Sequence, residues 1–370
     1  VKIGFEHQIF ALQNYGGVSR YFVELVRELN RMKGTEAKII APMHLNHYAA
    51  KLSHRSFQGV RIPAVPWLAP RMCMAVNRLV ASSLMSRFSP DVVHSTYYHP
   101  FKRLPGSAAH VLTVYDMTHE RLPAMFGDGD PTPAQKRKAV HAVDHVICIS
   151  ENTRRDLIDC TGVDAGKVSV VHIGYNVLAP GQRLLVASPE KDAKPFLLYV
   201  GGRKGYKNFS MLLRAYASSP WLRTDFRILA FGGGSFSSEE QELISSLGLV
   251  SPQVEQMGGG DGILSRQYAE AAALVYPSLY EGFGLPPLEA MSAGCPVICS
   301  NTSSIPEVVG NAGEYFNPSD VDSVRMAIER VLQSSERREE LVRAGLLKCA
   351  EYSWARCAEE TFAVYRKLVP

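Results

Sequence analysis

The stretch ALVYPSLYEGFGLPPLEAMSAG, residues 273–294, decides the reading of this chain. It opens on a short β-rich apolar run, Leu274 to Tyr276, that predicts a buried strand. A polar, glycine-bearing turn follows, Tyr280-Glu281-Gly282-Phe283-Gly284. Pro286-Pro287 then pre-sets the backbone for the first turn of a helix, where a missing N–H costs little. Leu288-Glu289-Ala290-Met291 begins that helix and Gly294 ends it. In an open α/β sheet, ligands bind where a strand's carboxyl end runs into the next helix. The N–H groups and the positive dipole end there favour a phosphate. Two carboxylates frame the turn, Glu281 in the loop and Glu289 in the first helical turn. A carboxylate can accept from two hydroxyls at once, so a pair of them suits a polyhydroxylated ligand. The alternative leaves Glu289 as a favourable first-turn charge and Glu281 as a solvated loop residue.

The rest of the composition sets the frame for that site. At 370 residues the chain exceeds what one hydrophobic core normally fills, so two domains are expected. A net charge of +4 is too small to argue for a nucleic-acid partner. It would help a surface meet anionic lipid or a diphosphate only where it is locally concentrated. Seven cysteines, an odd count, exclude a fully paired intrachain framework. Cys148, Cys299 and Cys349 sit inside apolar runs, which suits small buried hydrophobes in a reducing cytosol. The sequence shows no signal peptide and no apolar run of membrane-spanning length, so any membrane contact is expected to be peripheral.

The longer string PSLYEGFGLPPLEAMSAGCPV, residues 277–297, resembles the E-x7-E signature of the retaining, GT-B-fold nucleotide-sugar glycosyltransferases of family four, whose members read PSxxEGFGLPxLEAMAxGxPV. The resemblance implies that Glu281 contacts the hydroxyls of the donor sugar and Glu289 the ribose hydroxyls of the nucleotide. Backbone N–H groups around Phe283, Gly284 and Leu285 would approach the sugar and diphosphate. Upstream, PFLLYV at 195–200 reads as a strand feeding Gly201-Gly202-Arg203-Lys204-Gly205-Tyr206-Lys207-Asn208. Arg203 and Lys207 just past a strand suit a diphosphate, the guanidinium through paired N–H bonds and the ammonium as a point charge. The plain alternative is a basic surface loop. The family places an arginine and a lysine here for the leaving diphosphate, and VGxRxxYKNF is close to its form. Gly258, in QMGGG at 256–260, is expected beside the nucleotide base through backbone groups, or else marks a flexible turn.

The N-terminal half repeats the alternation of strand and helix. VKIGF at 1–5 reads as a strand, with Gly16-Gly17 ahead of a helix over 21–32. A glycine pair between strand and helix is either a tight turn or a phosphate cradle. Relatives set a GGxxR-type loop here, against the donor diphosphate or the attacking hydroxyl, and FEHQIFALQNYGGVSRYF resembles a polysaccharide-assembly branch of the family. Further strands are expected at 38–42, 91–95, 110–115, 145–150 and 167–172. The helix over 71–88, with Trp67, Arg71, Arg78 and Arg87, reads as an interfacial membrane helix or, the favoured reading, as one packed on the sheet. Past 110–115, Asp116 and His119 are candidate acceptor-site groups, able to orient a hydroxyl or exchange a proton with it. A histidine after a strand also has a structural reading, and many relatives carry histidine where this chain has Tyr115. Asp128-Gly129-Asp130 could hold a divalent metal on a diphosphate, but no apolar strand leads into it, and a solvated loop is preferred.

These readings commit to an α/β protein of GT-B type, two doubly wound Rossmann-like domains facing a cleft. The expected divisions are residues 1–175, a linker at 176–194, residues 195–350, and a terminal helix at 351–370 crossing back to the first domain. The resemblance implies transfer of a sugar from a nucleotide diphosphate to a hydroxyl, with retention and with no metal cofactor. GDP-mannose or a related GDP-sugar is the expected donor. A growing surface polysaccharide or lipid-linked glycan, at the inner face of a cytoplasmic membrane, is the expected acceptor. A UDP-sugar donor, a GT-B-like epimerase or phosphorylase, and a nucleotide-sugar-binding protein without turnover stay open as alternatives.

Overall fold

The computed structural model describes residues 1–63, 69–99, 108–175 and 194–369. Trp67 and nearly all of the expected linker, residues 176–193, lie outside that set. The chain forms two compact units, Val1–Gly174 together with Tyr352–Pro370, and Tyr175–Glu351.

The first unit holds seven strands: β1 (Lys2–Phe5), β2 (Glu36–His44), β3 (Phe57–Arg61), β4 (Val92–Ser95), β5 (Ala109–Val114), β6 (His145–Cys148) and β7 (Val168–Val170). They lie in the order β3-β2-β1-β4-β5-β6-β7, with every pairing parallel. β4 and β5 are buried along their whole length, as strands covered on both faces must be. Strand β3 and the short helix Gln8–Leu12 escape the sequence reading; β3 is a sheet edge with a mostly exposed FQGVR, too polar to show a core period. The helix Gly17–Leu29 buries Phe22, Leu25, Val26 and Leu29, and the last helix, Trp354–Leu368, packs on it. Within that packing, the His94 ring stands between the Tyr365 hydroxyl at 2.5 Å and the Thr113 hydroxyl at 2.8 Å.

The second unit holds six strands: β8 (Phe196–Val200), β9 (Arg227–Phe231), β10 (Val254–Met257), β11 (Ala273–Tyr276), β12 (Val297–Ser300) and β13 (Gly313–Phe316). Their order is β10-β9-β8-β11-β12-β13, again all parallel. Leu197, Tyr199, Ile228, Val275 and Ile298 build its core with Leu212 and Ile328 from flanking helices. The sequence over 321–342 reads as one helix charged on one side, but the structure holds two, Val321–Gln333 and Ser335–Cys349. Ser334 breaks it by taking an extended conformation (φ −115°, ψ 116°) and caps the second helix, its hydroxyl accepting from the Arg337 amide at 3.1 Å. All seven cysteines are free, and all but Cys160 are buried. No described helix is long and apolar enough to cross a membrane.

Candidate active site

In a doubly wound sheet the chain leaves the two strands flanking the order reversal in opposite directions, which opens a crevice at their carboxyl ends. In the second unit those strands are β8 and β11. The loops that follow them carry Arg203 and Lys207 on one side and Glu281 on the other. The fold therefore brings together residues 74 apart in sequence: Lys207 Nζ donates to both Glu281 carboxylate oxygens, at 2.7 and 2.9 Å. Glu281 is 9% exposed, so its charge has been taken out of water and is compensated by this ammonium.

The loops are tied to each other as well. Asn208, held at φ +57°, donates to the carbonyls of Pro277 (3.0 Å) and Pro318 (2.8 Å), and the Leu279 amide donates to the Tyr206 carbonyl at 2.7 Å. From behind, the Glu281 amide donates to the Ser303 hydroxyl at 2.9 Å. The Ser304 hydroxyl donates to the carbonyls of Glu281 and Phe283 at 2.9 and 3.1 Å. Tyr199, at the end of β8, donates to the Gly202 and Lys207 carbonyls. Burial, then the nearby Glu281 charge, pushes the Tyr199 hydroxyl far above its ordinary range and keeps it a donor.

The helix Leu285–Ser292 starts on Gly284, whose φ of +105° is a conformation that other residues rarely take. Pro286 and Pro287 supply no N–H, so the orphan donors of this first turn reduce to those at Gly284 and Leu285. Phe283 is buried beneath them. Glu289 is half-buried on the same helix and accepts a hydrogen bond from the buried Tyr268 hydroxyl at 3.1 Å. The structure thus groups Lys207, Glu281, Phe283, Gly284, Leu285 and Glu289 on two neighbouring loops and one helix start. Gly258 lies on an exposed turn after the edge strand β10, whose Met257 carbonyl accepts from the Gly232 amide at 2.9 Å.

Arg203, expected at the diphosphate, makes its contacts here within the protein. Its guanidinium is 3% exposed and turns into the protein. Nε and NH2 donate to the two Glu240 oxygens at 2.8 and 3.2 Å, and NH1 and NH2 donate to the carbonyls of Gly232, Gly234 and Ser235 at 2.6 to 2.9 Å. Phe236 lies beneath it at 4.9 Å. A fork of five donors clamps a loop in this way where an ammonium could not. Gly233, at φ +71°, is needed for a second reason: a Cβ there would meet Arg203 NH1 at 2.6 Å. Arg203 thus shapes the wall of the site through the glycine loop after β9.

In the first unit, Gly16 caps the helix Gly17–Leu29 and the Gln13 side chain takes the Ser19 amide at 3.3 Å, while Gly17 is exposed with open space around it. Beyond β5, Asp116 accepts from the Thr118 amide at 2.9 Å, which starts the short helix carrying His119. The solvated-loop reading of Asp128 and Asp130 needs correction for one of the two. Asp128 is exposed, but Asp130 accepts from the Thr132 amide at 3.0 Å and lies 2.6 Å from His119 Nδ1. Burial works against its charge, yet these bonds outweigh it and bring the carboxyl down to about 2. His119 also stacks on Phe126, with ring centres 3.8 Å apart. The pairing fixes the imidazole by its Nδ1 and takes Asp130 out of a metal-binding D-x-D. Among the described residues no three histidines, cysteines or carboxylates gather as metal ligands would.

Sequence reasoning missed Lys136, which is 1% exposed and donates to the Asp116 carbonyl and to Glu120, both at 2.8 Å. A lysine in an amphipathic helix gives no sign that it points inward; its partners lie on another element. Glu240 and Tyr268 were missed for the same reason.

The comparisons agree with this architecture. Residues 183–347 match the family model described as Glycosyl transferases group 1, and residues 15–177 match Glycosyltransferase Family 4. Escherichia coli O-antigen chain mannosyltransferase B is 33% identical over 230 residues, 60% of each chain. Escherichia coli serotype-specific mannosyltransferase WbdA is 29% identical over 271 residues, 68% of this chain and 33% of WbdA. The chain therefore spans 60% of the first of these relatives and a third of the second. Salmonella typhimurium O-antigen chain mannosyltransferase RfbU is 24% identical over 86% of this chain and 87% of its own. Among solved structures, the sucrose-phosphate synthase of Thermosynechococcus elongatus superposes with a TM-score of 0.79 at 19% identity, over 99% of this chain and 98% of that one. WaaG, a glycosyltransferase involved in lipopolysaccharide biosynthesis, superposes at 0.75 and 15% identity, over 99% of each chain. At such identities the superpositions speak to the fold, which is GT-B. With one family model on each half of the chain, this protein belongs to the group 1, family four glycosyltransferases.

Proposed function

We propose that this chain is a retaining hexosyltransferase that moves mannose, or a related hexose, from a GDP-sugar to a hydroxyl of a surface polysaccharide or lipid-linked glycan. The observation that carries the reading is the Lys207–Glu281 pair, set beside the helix start at Gly284 and Leu285. The barrier to such a transfer lies in parting a sugar cation from a diphosphate anion. Lys207 and the two N–H groups would stabilise the charge that develops on the leaving phosphate. Glu281 would hold sugar hydroxyls while keeping the ammonium in place, and Glu289 would take the ribose. Arg203 would act through the glycine loop it clamps. In the first unit, Asp116 and His119, with Asp130 orienting the imidazole, would receive the acceptor hydroxyl, and Gly16-Gly17 would line its approach. The names of the mannosyltransferase relatives support mannose as the sugar and an O-antigen-like glycan as the acceptor, and a lipid-linked acceptor would be met at a membrane surface.

Thermal stabilisation by GDP, UDP and ADP, followed by turnover assays on the matching sugars, tests this. GDP should raise Tm most, and GDP-mannose should be consumed with its anomeric configuration kept. Stabilisation by UDP alone would overturn the donor, and isomerisation of the nucleotide sugar without an acceptor would overturn the transferase.

A further inference from the structure

Among the described residues Tyr15 is the one phenylalanine, tyrosine or tryptophan that is exposed, with 62% of its surface in solvent. Its ring is nevertheless held in place. It lies flat on the His47 imidazole, with ring centres 4.4 Å apart and planes 10° apart, and Tyr48 meets it edge-on at 5.6 Å. Arg61 NH1 stands 2.6 Å from His47 Nδ1, and the Arg20 guanidinium is 6.0 Å from the centre of the Tyr48 ring.

The support beneath the ring is a pair of loops tied to each other. Asn46 is fully buried; its Oδ1 accepts from the Tyr48 and Ala49 amides at 2.9 and 3.2 Å, and its Nδ2 donates to the Gln13 carbonyl at 2.9 Å. The His47 amide donates to the Asn14 carbonyl at 3.0 Å. One loop leaves the carboxyl end of β2, and the other runs directly into Gly16-Gly17 and the helix Gly17–Leu29. Ligands of an open α/β sheet gather at that end of the strands.

We propose that Tyr15 is a stacking platform for one pyranose ring of the acceptor glycan, set apart from the hydroxyl that receives the transferred sugar. One face of a pyranose is a patch of slightly positive C–H groups, which sheds water against the negative face of an aromatic ring. A tyrosine gives that area at a low cost in side-chain entropy, lower still when its ring is already stacked. Arg61 and Arg20, beside His47 and Tyr48, are placed to donate to the outward hydroxyls of the sugar. Three strand spacings separate β2 from β5, where Asp116 and His119 stand, roughly 14 Å. The saccharide that reaches both places is therefore an oligosaccharide, which a single hexose is too short to imitate. A single-stranded nucleic acid is favoured less, because it stacks successive bases on a row of aromatics and only one is exposed here. The inference rests on the proposed transfer for the class of its ligand and adds to it a preference for acceptor length.

Ligand-observed NMR titration with mannose and with an α-linked mannotetraose tests it. The unaltered protein should bind the tetrasaccharide more tightly than mannose. Tyr15→Ala should weaken tetrasaccharide binding about 10-fold and leave mannose as it was, whereas Tyr15→Phe, which keeps the ring, should bind as the unaltered protein does. Leu347→Ala removes a side chain 76% exposed on the second unit and should change neither affinity. The three variants should melt with the unaltered protein. In turnover, Tyr15→Ala should raise KM for the tetrasaccharide about 10-fold with kcat unchanged. Undiminished tetrasaccharide binding by Tyr15→Ala, equal weakening by Tyr15→Phe, or an unaltered protein that ignores the tetrasaccharide would overturn the platform. So would Tyr15-dependent retention on immobilised polyuridylate with no saccharide bound. A wrong donor would leave a different mark: no response to GDP, with the Tyr15-dependent binding of the tetrasaccharide intact and the platform upheld.

Discussion

The two units run their strands through one order, with a seventh strand added to the first, yet their switch points are furnished differently. Between β1 and β4 stands Glu6, a fully buried carboxyl that accepts from the Thr96 amide and hydroxyl at 2.5 and 2.6 Å and from the Gln8 amide at 2.9 Å. Burial raises it to about 7, against the pull of those donors. The corresponding place in the second unit holds the Lys207–Glu281 pair and glycine turns. The contrast extends to histidine: all eleven histidines of the chain lie outside residues 175–351. One topology fixes where loops converge; the side chains there decide whether the convergence is a sealed brace or a half-open polar site.

Acid should separate the units most widely. Burial lowers His7 and His44 to about 4 and His94 to about 3. Between pH 6.5 and those values the unfolded chain binds more protons than the folded one. Their stabilisation is therefore complete above pH 6.5 and is lost as pH falls, on the order of several kcal/mol together. Glu6 acts in the opposite sense, its contribution being lost as pH rises through 7, and offsets part of this. Pulse-labelled hydrogen exchange at pH 4.5 should show β1, β4 and β5 opening while β8, β9 and β11 stay protected. Simultaneous opening of both sheets would break the contrast.

Next in size is Arg203→Ala, which strands Glu240 and frees the glycine loop; we expect a loss of about 3 kcal/mol in urea denaturation. Arg203→Lys should recover less than half, since one ammonium cannot bridge those carbonyls. Unchanged stability with abolished turnover would return Arg203 to the diphosphate. Lys207→Met should cut turnover by about 10²–10³; near-normal rates would remove the ammonium from the leaving-group site. Glu281→Gln and Glu289→Gln should then fail differently, each by roughly 1.5–3 kcal/mol. Glu289→Gln should weaken GDP binding measured by calorimetry. Glu281→Gln should leave it equal or tighter, because Lys207 loses its competing partner, while turnover falls. Equal loss of GDP affinity in both would mean that Glu281 serves mainly to hold its loop. Least of all should be the response to EDTA: turnover unchanged, whereas a loss reversed by manganese would return Asp128 and Asp130 to metal binding.

The second unit was the more legible in sequence, for a physical reason. A loop that must turn tightly, start a helix and present an acid needs particular residues in consecutive places, and EGFGLPPLE supplies them in one run. Contacts between distant loops leave no such trace. Nothing local says that Lys207 reaches Glu281, that Arg203 turns inward, or that His119 finds Asp130. The edge strand β3 and the break at Ser334 were lost because weakly buried or capped positions interrupt no hydrophobic period.

The return of the last helix to the first unit bears on synthesis. His94 meets Tyr365, and the Gly174 backbone lies so near Trp354 that a Cβ at 174 would touch its amide nitrogen at 2.3 Å. On a ribosome the second unit has all of its strands before residue 352 emerges, while the unit begun first still lacks the helix that covers Phe22 and His94. Translation therefore passes through every strand of the second unit while the first sheet, its seven strands already made, still waits for the helix that covers it.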